Sequence, residues 1–233
     1  TDADVEVIQS ASNGGYASGN NFGFRYLKEK EVDFILISNN DIIIKDELLL
    51  SKLINSYLQC NDPAFLSPVM LNEQGVQKRP SSWNIPTFFE DFKSLVFLDR
   101  IKGVNVKMKQ TLQKGCVNVE CLPGSFTLIK KHTLFDLELF DEGTFLYCEE
   151  RINAVKVRRK GLYNYLNKEL SFVHKESETI SQSFNYISRM KILVRSRIYF
   201  HVKYNKLPKF FVNTLWLGLL FNIIIYVACR TIK

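Results

Sequence analysis

Val32-Asp33-Phe34-Ile35-Leu36-Ile37 is a near-continuous apolar run that ends in Ser38-Asn39-Asn40-Asp41. Such a run predicts a strand over 32–38, buried on both faces, with its polar loop at the carboxyl end of a central strand. Open α/β sheets place ligands there. Upstream, Val5-Glu6-Val7-Ile8 alternates as a short strand should, and Ser12 to Asn21 reads as a Gly/Asn-rich loop. The spacing then predicts a helix over Phe22–Lys30. The order strand, loop, helix, strand is a βαβ unit, and handedness rules make the sheet mostly parallel.

Downstream, Asp46 reads as the N-cap of a helix from Glu47 to Leu58, with Leu49, Leu50, Leu53, Ile54 and Tyr57 at helical spacing. Phe65–Met70 is a strand, and Pro68 places it at an edge. Residues 72–112 carry a weak pattern and read as a long aromatic loop. Val117–Leu122 and Phe126–Ile129 are strands. Glu149–Lys160 is a helix with basic residues at its C-terminal end and Gly161 as its stop. Tyr163–Leu166 and Leu170–Val173 are short strands ending at His174. Ser181–Tyr204 is a basic amphipathic helix, and Phe210 to Cys229 contains no charged residue.

Charge sharpens that last division. The 31 basic and 24 acidic residues give +7, but nine of the basic ones follow the last acidic residue, Glu178. The chain up to Glu178 is therefore near neutral, at −2. A neutral body with a basic, apolar tail points to an anionic membrane surface and away from nucleic acid. Phe210–Cys229 is long enough to cross a bilayer or to lie in its interface, and Asn213, Thr214 and Asn222 leave open a helix packed within the protein. Five cysteines without CxxC spacing argue against a disulfide framework or a zinc site and fit a reducing cytoplasm. The chain opens abruptly on Thr1, which reads as a fragment lacking its true start.

Four polar clusters sit at element boundaries: Asn13 to Asn21, Asn39 to Asp41, Glu149-Glu150, and His174. Taken singly they are ordinary turns, a helix start favoured by the macrodipole, and a structural histidine. Taken together they are more specific. Asn13-Gly14-Gly15-Tyr16-Ala17-Ser18-Gly19-Asn20-Asn21-Phe22-Gly23 and Phe140-Asp141-Glu142-Gly143-Thr144-Phe145-Leu146-Tyr147-Cys148-Glu149-Glu150 resemble two motifs of glycosyltransferase family 2. Ile37-Ser38-Asn39-Asn40-Asp41 resembles that family's metal motif, Pro123 to Lys131 its acceptor-side segment, and Phe172 to Ser177 its later histidine segment.

The resemblance implies a GT-A-like, Rossmann-related α/β fold that transfers sugar with inversion from a nucleotide-diphosphate sugar to a hydroxyl. Mg²⁺ or Mn²⁺ would be the cofactor, held by Asp41 with His174. Asn13, Gly15, Asn21, Asn39 and Asp41 would line the donor pocket, and Gly124 and Asp141 the acceptor. Glu150, or its neighbour Glu149, would be the base. The acceptor would be a lipid-linked saccharide of bacterial surface polysaccharide assembly, at the cytoplasmic face of the cell membrane. The expected layout is a catalytic domain over 1–178, incomplete at its N-terminus because the base-reading half of the family is missing. A basic helical region over 179–209 and a membrane-associated helix over 210–229 would follow. That missing half leaves open a non-catalytic remnant or binding module.

Overall fold

The computed structural model describes residues 5–96, 115–175 and 185–231. A six-stranded sheet carries helices on both faces. Its strands are β1 (Phe34–Ser38), β2 (Ile42–Ile43), β3 (Pro63–Leu71), β4 (Cys116–Val119), β5 (Phe126–Lys130) and β6 (Tyr163–His174). The order is β1-β5-β3-β6-β2, with β4 also on β6. The α/β class is as expected.

The pairing is not mostly parallel: among the described residues only β3 and β6 pair in parallel, and the other ladders are antiparallel. β1, β3 and β6 do run the same way, as crossover connections require. β5 inserts between β1 and β3 in the opposite direction, which breaks what would otherwise be a parallel set.

Three further expectations change. Val5–Ile8 forms no strand, and Val5 and Val7 are exposed, because alternation makes a strand only where a neighbour completes the ladder. β3 is central rather than an edge. Pro68 still pairs with Asn167 of β6, but it lies past Leu66, the last β3 residue paired with β5, and just before the register shift at Val69. The segment after residue 72 holds a helix, α3 (Phe88–Leu95), started by a Thr87/Glu90 capping box. Residues 97–112, Ser177 and the expected helix start at Ser181 lie outside the described residues.

Side-chain alternation distributes the core to two faces. Ile35, Ile37, Phe65 and Ile129 pack with Ala17 and Phe24 of α1 (Tyr16–Tyr26), Leu134 of α4 (Lys131–Asp136) and Val157 of α5 (Glu149–Arg159). Leu66, Phe126, Leu128 and Phe172 point the other way, onto Leu49, Leu53 and Tyr57 of α2 (Leu49–Gln59). Asp46 accepts the Leu48 N–H at 3.0 Å and closes the turn that leads into α2. The C-terminal helices α6 (Tyr186–Lys203), α7 (Lys209–Val212) and α8 (Leu215–Thr231) form a third cluster with α3. Phe200 and Tyr204 also join Cys148, Ile152 and Val155 beside α5.

Candidate active site

Helix α5 sets the first half of the site. It begins abruptly, behind Tyr147 and Cys148, two consecutive non-glycine residues at φ 73° and 74°. Left-handed backbone at such residues costs of order 1 kcal/mol or more each and clusters at functional sites. Glu149 and Glu150 then occupy the first turn. Glu149 is buried, with Oε1 free of hydrogen bonds, and Glu150 is half-buried. Burial, and then the charge of Glu150, push the Glu149 carboxyl up to about 8. Burial likewise raises Glu150, although the Gly124 N–H and Arg151 favour its ionised form. Burial thus biases both carboxyls toward the protonated form.

Both glutamates line a small cavity with Tyr16, Gly124, Phe140 and Asn153. Tyr16 donates to the Gly124 carbonyl at 2.6 Å, and its hydroxyl is raised by burial and by the two carboxylates, so it stays a neutral donor. A Cβ on Gly124 would lie 2.6 Å from that hydroxyl. The expected loop at 16–21 is in fact the start of α1, because Gly15 turns the chain at φ 89°. A Cβ on Gly15 would meet the Phe145 carbonyl oxygen at 1.9 Å, and the Tyr16 N–H donates to that same carbonyl. Asn13 accepts the Gly15 N–H at 3.1 Å and is otherwise exposed.

The second half lies along the same edge of the sheet. Asn39 donates its backbone N–H to Ser125, the neighbour of Gly124, at 2.9 Å. Two residues on, the Asp41 carbonyl accepts the Lys175 N–H, and Ile42 pairs with His174. The turn after β1 therefore runs across the carboxyl end of the sheet from β5 to β6. His174 Nε2 stands 3.1 Å from Asp41 Oδ1, and both buried atoms lack a well-formed hydrogen bond. A carboxylate oxygen and an imidazole nitrogen left converging in this way fit a divalent cation such as Mn²⁺ or Mg²⁺. No group of three or more His, Cys, Asp or Glu side chains converges among the described residues. Such a cation would therefore draw its remaining ligands from phosphate and water, as Mg²⁺ commonly does.

Two expected site residues are turned elsewhere. Asn21 is buried; its amide donates to the Phe140 carbonyl at 2.8 Å and accepts the Phe140 N–H at 2.9 Å. It ties α1 to the 140–142 segment and does not face a donor pocket. Asp141 accepts hydrogen bonds from Lys203 at 2.8 Å, Tyr199 at 2.8 Å, Tyr204 and the Gly143 N–H. Burial opposes its ionisation, but these partners bring it down to about 2. It anchors α6 rather than an acceptor. Motif position alone cannot separate a polar side chain that binds ligand from one that holds the loop. Sequence reasoning also left out Tyr16 and Asn153. Asn153 was traceable, since it follows Glu149 and Glu150 at i+4 and i+3 on one helix face.

No family model matches the chain. Over 160 residues it is 27% identical to the low-salt glycan biosynthesis hexosyltransferase Agl10 of Haloferax volcanii, covering 68% of this chain and 48% of that protein. Over 197 residues it is 24% identical to the rhamnosyltransferase WbbL of Escherichia coli, covering 77% of this chain and 72% of that one. A crystal structure of GalNAc-T7 with UDP, GalNAc and Mn²⁺ overlaps 73% of this chain and 32% of its own, with a TM-score of 0.49 at 12% identity. The chain thus spans about half the length of the first of these curated relatives. Its resemblance to glycosyltransferases, carried in the sequence by five motifs, holds at the level of these relatives: the chain is a distant relative of glycosyltransferases.

Proposed function

We propose that the chain is an inverting glycosyltransferase that moves a sugar from a nucleotide-diphosphate sugar to a hydroxyl of a growing, lipid-linked surface polysaccharide. The observation that carries this reading is the continuity of one sheet edge. Glu150 rests on the N–H of Gly124, Ser125 beside it holds Asn39, and Asp41 two residues further meets His174. Glu149 and Glu150 line a cavity with Tyr16, Gly124 and Asn153, and the turn through Asn39 carries Asp41 and His174 further along the same end of the sheet.

Glu150 is the base, because it is the less buried member of the pair and lines the cavity with its carboxyl on the Gly124 N–H. Glu149, buried beside it, keeps the pair's affinity for a proton high. A positioned base contributes roughly 10²–10⁴-fold. Asp41 and His174 would hold Mg²⁺ or Mn²⁺, which would neutralise charge gathering on the departing diphosphate. Asn13, Gly15 and Asn39 border the donor side, and Gly124 the acceptor side. The reaction takes place at the cytoplasmic face of the cell membrane, in keeping with the basic, apolar C-terminal region. Residues 1–178, 179–209 and 210–229 divide these tasks into catalysis, basic contact and membrane association.

The test is sugar transfer from a panel of nucleotide-diphosphate sugars to lipid-linked saccharide acceptors. Glu150→Gln lowers kcat by about 10²–10⁴-fold with donor affinity nearly kept. Asp41→Ala abolishes turnover and the response to added Mn²⁺. Unchanged transfer by both variants would overturn the mechanism. Donor binding without turnover in the unaltered protein would favour the non-catalytic binding module.

A further inference from the structure

Among the described residues, helix α8 packs one face on the fold and leaves a second, apolar face exposed. Its inner face puts Leu215 and Leu219, both buried, against Leu95, Val194 and Val212. The outer face carries Leu217, Leu220, Phe221 and Ile224 at i, i+3, i+4 and i+7, all exposed, with Leu217 63% accessible. Phe210, in the short helix just before, is 80% exposed. Singly exposed apolar residues are ordinary, but a contiguous stripe of large ones marks an interaction site.

Charge indicates what covers the stripe. Lys191 and Arg195 are exposed on α6 at i and i+4 of the face that continues through Ile198 and Val202, which pack against the α8 cluster. Lys206 and Lys209 are exposed in the connection leading into α7 and α8. No acidic residue follows Glu178 anywhere in the chain. Exposed cations on the helix packed against α8 and on the segment leading into it, with an apolar stripe on α8 itself, match anionic headgroups above acyl chains.

The inner face indicates how the helix lies. Residues Lys209–Ala228 are long and apolar enough to cross a membrane. Yet the buried Asn222 donates to the Leu95 carbonyl at 2.7 Å and accepts from the Tyr186 hydroxyl at 2.6 Å. Tyr186 stacks on Tyr226 with ring centroids 4.2 Å apart, and Gly218 leaves room for Leu95. Crossing would strip α8 of all these contacts and carry the Asn222 amide into hydrocarbon, where unsatisfied polar groups are costly. We propose that the outer face of α8, with Phe210, docks in the plane of an anionic bilayer while its inner face stays on the protein.

This deepens the membrane part of the function proposed above, but its test reads lipid binding and not sugar transfer, so either can fail alone. The full chain is floated with vesicles of phosphatidylglycerol and phosphatidylcholine in equal parts, and with phosphatidylcholine alone. The unaltered protein binds the anionic vesicles and is released by alkaline carbonate. Leu217→Ser/Phe221→Ser/Ile224→Ser, folded by circular dichroism, loses about a hundredfold in partitioning. Lys191→Glu/Arg195→Glu loses about tenfold or more on the anionic vesicles only. Failure of the unaltered protein to bind would overturn the proposal, and so would equal binding by the triple variant. Retention after the alkaline wash would establish crossing instead and overturn it as well.

Discussion

Glu149 is the residue at which the site acts against the fold. Its carboxyl is buried, one oxygen has no hydrogen-bond partner, and burial beside Glu150 raises it to about 8. An acid whose folded pKa lies above its unfolded value stabilises the folded state most below the unfolded pKa. That stability is lost as pH rises through the folded pKa. The window here runs from the ordinary glutamate range to about pH 8. Glu149→Gln keeps the shape and removes the titration, so its melting temperature relative to the unaltered protein rises between pH 5 and pH 8.5. Each kcal/mol corresponds to about 2–4 °C in a chain of this size. Thermal scans at the two pH values check the sign; an equal difference at both would show that Glu149 is not the titrating group. Gly124 gives a second prediction at this scale. Gly124→Ala drives a Cβ to 2.6 Å from the Tyr16 hydroxyl, breaks the bond between Tyr16 and the residue 124 carbonyl, and lowers kcat more than it raises KM.

At the scale of elements, α1 shows what the sequence pattern reveals and what it hides. The Gly/Asn run was legible as unusual, but Gly15 at φ 89° starts a helix at Tyr16 instead of ending a loop at Asn21. Asn21 thereby moves from a supposed ligand contact to a buried clip on residue 140. Asn21→Ala leaves both the N–H and the carbonyl of Phe140 without that partner, and unmatched buried polar groups cost about 1–3 kcal/mol each. Urea denaturation should show a loss in that range, while a protein whose stability is unchanged would return Asn21 to the donor pocket. Apolar periodicity located α2, α5 and β5 because their burial is local and regular. It misplaced β3 as an edge, because the choice between edge and centre is made by β5, which inserts from about 60 residues later in the chain. Glu149 and Glu150 stand out in the sequence as a carboxylate pair opening a helix, and Asp41 and His174 as polar residues at strand ends, and these pairs do meet in the fold. Asp141 was misassigned because its partners on α6 are distant in sequence.

Across the whole molecule, the helical layer is fastened to the active-site helix through one buried carboxylate. Asp91 of α3 takes Arg151 of α5 at 2.5 Å, Arg197 of α6 at 3.1 Å and His201 of α6 at 2.9 Å. Arg197 also donates to the Asp91 carbonyl and to Ser94. Arg151 adjoins Glu150 in the chain, so the network fixes the start of α5 as well as the packing of α6. Burial opposes the ionisation of Asp91, but His201 and the two arginines hold its carboxyl below the usual range. Its share of stability is therefore present above the unfolded carboxylate range and lost as pH falls through its lowered folded value. A buried ion pair is weak evidence of net stability, whereas stranding one partner is severe, at about 3–5 kcal/mol. Asp91→Ala should therefore cost about that much, because it removes the carboxylate that two buried arginines share. Asp91→Leu/Arg151→Met/Arg197→Met should recover most of the loss, because it removes the stranded charges together. The triple variant should nonetheless transfer sugar more slowly than the unaltered protein at a temperature where both are folded, since the start of α5 then loses the ion pair that holds it beside Glu150. Denaturant midpoints and kcat for the three proteins separate the two roles. Full recovery of both would make the network simple filling between helices, and recovery of stability alone would make it a positioning device for the base.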